Sequence, residues 1–283
     1  MHSSTVTLLA FSSLAAASLD IGQLLSGLGP APASDPRWTN WQAPGPNDGE
    51  LSYLLRQNFT DQSQVRSACP GLNTLANHNF INHNGTSLTI PAIVTGLAAG
   101  MNMGADFSVF AGAGALLSVS NPLSGEFDLA SINKHNVPIE HDASISRQDA
   151  YFGNQTTFYK PNFEEYMSHF SGDMTDVKSI GAAKYSRYND SLARDPSFVY
   201  GAHEVLLSYG ENALYTQVLG GGPSAEGARV DFIRMLFEQE KLPWELGWRP
   251  SANSITLLSL GKLLSEILSE SPDPISETLH VTA

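Results

Sequence analysis

The sequence is short of cysteine, of positive charge and of long apolar runs, and each shortage excludes something. A single cysteine, Cys69, in 283 residues rules out an intrachain disulfide, so the core must be held by packing. Fifteen Lys and Arg against 28 Asp and Glu leave a formal net charge of −13. A nucleic-acid backbone or an anionic membrane surface needs a basic face, and no basic run is present. The apolar stretch at 6–17 is too short to span a bilayer and ends in small residues. It reads as a secretory signal over residues 1–18, cut near Ala17 and Ser18, although no Lys or Arg precedes it. No later run is long enough for a transmembrane helix. Export agrees with four glycosylation sequons, at Asn58, Asn84, Asn154 and Asn189.

Alternating strand patterns are also scarce. Residues 19–48 form an extended segment dense in Pro and Gly from residue 29 on, with Trp38 and Trp41 as anchors. From Pro70 onward apolar residues recur at three- and four-residue intervals, over 89–103, 106–119, 202–219, 228–240 and 255–268. The run Gly220-Gly221-Gly222-Pro223 lacks the Lys and Ser/Thr of a phosphate cradle and reads as a loop. Residues 270–283 read as a disordered tail. The pattern predicts one all-α domain.

Three local features carry titratable chemistry. Cys69 precedes Pro70, and Leu72, Leu75, Ala76 and Phe80 follow at helical spacing. That places the sulfur at a helix N-terminus, where free N–H groups and the dipole favour thiolate; a buried structural thiol is the alternative. The second feature is Glu140-His141-Asp142-Ala143-Ser144-Ile145-Ser146-Arg147. Its groups suit metal binding or proton transfer, or else Asp142 or Ser144 caps a following helix while Arg147 pairs a carboxylate. The third is Glu211, a carboxylate on an apolar helix that is either surface-facing or kept in a pocket with a raised pKa. Glu204, seven residues earlier on nearly the same face, competes with it. A cysteine hydrolase using Cys69 and His141 fits the residue types but leaves the glutamate and the oxygen-rich cluster without a role.

Taken in order, these motifs resemble the heme-thiolate peroxidases, the family of fungal chloroperoxidase and the unspecific peroxygenases. Five segments carry the resemblance: residues 41–45, 66–78, 140–147, 210–214 and 242–248. It implies a chloroperoxidase-like helical domain over residues 65–269 around a buried heme b. Cys69 would be the axial iron ligand, Glu211 the distal acid–base, His141 its hydrogen-bonding partner, and Asp142 the residue orienting His141. Glu140 and Ser144, with the His141 carbonyl, would hold Mg²⁺ or Mn²⁺ beside a heme propionate, as their oxygens allow. The segment around Glu211 matches the family, which leaves Glu204 as a helix-surface residue.

The resemblance also implies a secreted enzyme that uses hydrogen peroxide to oxidise a small organic molecule, with secondary-metabolite biosynthesis as one setting. Halide oxidation in the same site and heme binding without turnover are the alternatives. Two departures stand out. Ala68 replaces the proline that usually precedes the ligand cysteine, which removes rigidity from the approach loop. Residues 49–64 interrupt a usually direct connection and read as an insertion, either a retained intron or a surface loop carrying Asn58.

Overall fold

The computed structural model describes residues 27–44, 64–136, 138–153 and 155–274. The expected signal, nearly all of the insertion, Asn58, Asn154 and the end of the tail lie outside the described residues. Among these the protein is all-α, as its periodicity predicts: eight α-helices and no strand, only isolated bridges such as Met103 with Ile255.

Helix α1, Pro70–Asn77, begins on Cys69 with Pro70 in its first turn. Helix α2, Ile90–Met101, is capped by Thr89, whose side chain accepts the Ala92 N–H, and α3, Ala105–Leu117, follows. Next come α4, Lys160–Met167, and α5, Val177–Arg194, whose start is a capping box between Asp176 and Ser179. Helix α6, Ala202–Gly220, ends on Gly221 in the left-handed region at φ 99°, so the glycine run is a helix stop. Helices α7, Val230–Gln239, and α8, Leu257–Ser269, complete the set.

Packing makes α6 the centre, against α5, α7 and α8, while α2 pairs with α3 and α1 meets α7. The Pro-rich segment docks through Trp38, 2% exposed and stacked on Trp244 with centroids 4.7 Å apart. No described helix is long and apolar enough to cross a membrane.

The sequence pattern fails at one important place. No α-helix follows Asp142 or Ser144; the chain between α3 and α4 holds only short 3₁₀ turns. Ala143 sits in the left-handed region at φ 59° and donates its N–H to Asp149 Oδ1 at 2.9 Å. Side chains from elsewhere hold this loop: Asn162 Nδ2 donates to the Arg147 carbonyl at 2.7 Å and Arg187 Nε to the Ser144 carbonyl at 3.2 Å. Polar clamps replace the ladder a helix would have supplied.

Candidate active site

Cys69 is the N-cap of α1; its sulfur makes no cap hydrogen bond of proper geometry, although the N–H groups of Leu72 and Gly71 are near enough to favour its anion. A Cβ built on Gly71 would lie 3.9 Å from Sγ, so the space beside the sulfur is left open. The expected lowering of the thiol pKa does not occur. Burial pushes it up, outweighing the two helix-end amides and the positive charge of Arg147. The helix terminus alone therefore does not yield a thiolate; a bound cation at the sulfur would be needed.

The loop before Cys69 is tightly held. Asn73 Oδ1 accepts the Ser67 N–H at 2.9 Å while its Nδ2 donates to the Ser67 carbonyl at 2.8 Å. Ala68 donates its N–H to Asn133 Oδ1 at 2.7 Å. A proline at that position has no such donor, so the departure at Ala68 exchanges ring rigidity for a hydrogen bond.

Glu211 lies on α6 among groups that reach Cys69 as well. Burial raises its pKa to about 8, against the positive charges of Lys184 and Arg147 and an N–H from Ile145. Its Oε1 is buried without a partner, while Oε2 lies 3.8 Å from His141 Nε2. The charges of Arg147 and Glu211 both act on the Cys69 thiol, which sets the three within electrostatic reach of one another. Glu211 keeps 30% of its side chain accessible and Cys69 is half-buried, yet burial is the largest influence on the pKa of both.

His141 Nε2 lies near Glu211 but beyond hydrogen-bond distance, and Asp142 contacts His141 through its backbone. The backbone carbonyl of Asp142, not its carboxylate, meets His141 Nδ1 at 2.7 Å. This fixes the tautomer: Nδ1 donates, leaving Nε2 as the acceptor that faces Glu211. Burial lowers the His141 pKa to about 4, so the ring is neutral near pH 7.

Glu140 and Ser144 share the loop, yet Glu140 Oε2 is engaged by His135 Nδ1 at 2.6 Å. His135 Nε2 lies 3.5 Å from Asp142 Oδ2. Flanked by Asp142 and Glu140, the imidazole holds its proton up to about pH 10. A cation at Glu140 and Ser144 would compete with that imidazolium.

Glu204 is not the surface residue the sequence indicated. It is 7% exposed and closes the start of α6, accepting the Gly201 N–H at 2.7 Å and contacting His203 Nδ1 at 2.9 Å. Although burial raises its pKa, His203 and the backbone N–H groups hold it below the usual carboxylate range. It is a cap whose charge is also felt by His141, while Glu211 is the one whose carboxylate stands 3.8 Å from His141 Nε2.

Three participants have no local signature. Lys184, fully buried on α5, acts on both Glu211 and His141 and lies 5.0 Å from the Tyr200 ring centroid. His135 stands five residues before Glu140. Glu240 follows α7 and receives Arg147 Nη2 at 3.0 Å and Asn73 Nδ2 at 2.8 Å. Arg147 does pair a carboxylate, as the sequence allowed, but the partner is 93 residues away.

The family model described as "Peroxidase, family 2" matches residues 39–253, most of the chain. The chain belongs to this family, the heme-thiolate peroxidases. It is 28% identical over 268 residues to an aromatic peroxygenase of Cyclocybe aegerita, covering 82% of this chain and 72% of the relative. An aromatic peroxygenase of Coprinellus radians is 27% identical over 208 residues, 65% of this chain and 78% of that one. The dothistromin biosynthesis peroxidase dotB of Dothistroma septosporum is 28% identical over 204 residues; the match spans 65% of this chain and 45% of that protein. The peroxidase-family chain described here is an oxidoreductase acting on peroxide.

The donor set is consistent with a heme: Cys69 would hold it through its sulfur, and the unpartnered buried Glu211 Oε1 and Arg147 Nε leave polar groups that a bound cofactor and peroxide could engage.

Proposed function

We propose that this peroxidase binds heme b through Cys69 and uses Glu211 as its acid–base to oxidise a small aromatic molecule with hydrogen peroxide. The electrostatic proximity of Cys69 and Glu211 supports the reading, each in its family motif and each under the charge of Arg147. The heme, when bound, supplies an iron that activates peroxide, with the thiolate favouring O–O cleavage.

The chain's own residues supply the rest. The Gly71 and Leu72 amides and Arg147 offset negative charge on Cys69. Glu211 takes a proton from peroxide and returns it to the departing oxygen, a shuttle suited to a carboxyl poised near neutral pH. His141, neutral and fixed by the Asp142 carbonyl, presents Nε2 as an acceptor toward the acid form of Glu211, and its lowered pKa leaves the proton on the carboxyl. The aromatic substrate class follows the names of the peroxygenase relatives, and a biosynthetic setting follows the Dothistroma protein.

Secretion belongs to the same reading, with the signal at 1–18 and glycans on exposed Asn84 and Asn189, along with Asn58 and Asn154. So does Mg²⁺ or Mn²⁺ at Glu140, Ser144 and the His141 carbonyl, in competition with His135.

The test is the ferrous carbon-monoxide difference spectrum of heme-loaded protein beside Cys69→Ala. A strongly red-shifted Soret band that the variant loses is the expected result. A histidine-like spectrum in the unaltered protein would refute thiolate ligation.

A further inference from the structure

The carboxylate of Asp142, free of the role in orienting His141, points elsewhere. Carboxylate oxygens of Asp142, Asp149 and Asp195 all lie within 4.8 Å of one another. These residues are 0%, 1% and 4% exposed, so no bulk water relieves the repulsion. Backbone and hydroxyl donors hold one oxygen of each. Ala150 N–H reaches Asp142 Oδ1 at 3.3 Å, Ala143 N–H reaches Asp149 Oδ1 at 2.9 Å, and the Ser197 N–H and hydroxyl reach Asp195 Oδ1 at 2.7 Å each.

The second oxygens are left open. Asp149 Oδ2 and Asp195 Oδ2 are buried with no hydrogen-bond partner, and Asp142 Oδ2 has only the Val199 N–H at 3.4 Å and His135 Nε2 at 3.5 Å. An independent group faces the same place. Ser191 Oγ on α5 is fully buried beside Asp149 yet makes no hydrogen bond of proper geometry. The charge of Arg187 acts on Asp149, but its Nη1 is directed to Asp190 at 2.8 Å and its Nε to the Ser144 carbonyl at 3.2 Å; the His135 imidazolium, 3.5 Å from Asp142 Oδ2, would compete with a cation here as it would at Glu140.

We propose that Asp142, Asp149 and Asp195, with the Ser191 hydroxyl, form a calcium site separate from the cation position at Glu140 and Ser144. Several hard oxygen donors around a compact space suit Ca²⁺, whose bonds of ~2.3–2.6 Å place opposite ligands about 4.8 Å apart. The ion would tie the active-site loop, through Asp142 and Asp149, to α5 and to Asp195 just beyond it. Asp142 would then serve twice: its carboxylate on calcium and its carbonyl on His141 Nδ1. Calcium is thus a structural clamp on the histidine that faces Glu211.

The test uses the full heme-loaded chain in a Glu140→Gln background, which removes the other cation position. After stripping with chelator and titration with calcium chloride, metal content and Tm are measured, with and without Asp195→Asn. About one equivalent of bound calcium that raises Tm, lost with Asp195→Asn, is expected. Ser191→Ala, compared in protein made without N-glycans because the change also removes the Asn189 sequon, should weaken calcium binding severalfold without unfolding. Should Asp195→Asn fail to fold, the Glu140→Gln protein and its Ser191→Ala form decide. A protein that neither binds calcium nor gains Tm with it, or an Asp195→Asn form that binds calcium as tightly as its parent, would overturn the site in favour of carboxyls sharing protons.

Discussion

Glu211 shows how one environment prepares one residue for a task. Its pKa near 8 means that the acid form dominates at pH 7 and the base form, which accepts the peroxide proton, grows as pH rises. The pH profile of peroxide consumption should therefore climb toward about pH 8. Glu211→Gln should remove that limb and lower turnover by ~10²–10⁴-fold while heme stays bound. Retained turnover with an unchanged profile would assign the proton transfer elsewhere. Ala68 makes a second residue-scale case. Restoring the usual proline deletes the N–H donated to Asn133, so Ala68→Pro should cost about 1 kcal/mol in urea unfolding rather than stabilise the loop. A gain in stability would show that ring rigidity outweighs the hydrogen bond.

At the scale of elements, a buried ion pair joins α1 to the loop that carries His141. Glu240, in the left-handed region at φ 47°, ends α7. Its carboxylate holds Arg147 and Asn73, and its carbonyl accepts from Asn77 Nδ2 at 3.1 Å and Trp41 Nε1 at 3.0 Å. One residue thus fastens α1, the active-site loop and the leading Trp segment. Glu240→Gln keeps the shape but strands the Arg147 charge, which is 2% exposed; breaking such a pair costs ~3–5 kcal/mol. Equilibrium unfolding should show that loss, and Arg147→Met with Glu240→Gln should recover part of it. A loss under ~1 kcal/mol in the single variant would mean that solvent reaches the pair.

For the whole molecule, buried titrating groups set the pH of greatest stability. Burial lowers both His78 and His141 to about 4, so each unfolded ring gains a proton near 6.5 that its folded form refuses. Their contributions are present above that value and fade as pH falls toward 4. Glu211, raised to about 8, and His135, raised to about 10, act in the opposite sense: stability falls as pH climbs through those values. Between about 4.5 and 6.5 the two histidines outweigh Glu211, and above 6.5 only the losses remain. The heme-free chain should be most stable near pH 6.5, each group changing the slope by up to ~1.4 kcal/mol per unit. Denaturant midpoints across pH check this, and Glu211→Gln should flatten the decline between 6.5 and 8. What the sequence could determine by itself was local in cause. Helical spacing, the Thr89 cap, Pro70 after Cys69 and the stop at Gly221 depend on neighbours within a few residues, so the all-α class and the N-cap position of Cys69 were legible. Motif order brought out Glu211 over Glu204. Tertiary structure alone decided which groups lost water and which charges met: the raised Cys69 pKa, the His135 imidazolium, Lys184 near Glu211, Glu240 on Arg147, and the absence of a helix after Asp142. Desolvation and long-range pairing depend on elements far apart in the chain, and no local spacing records them.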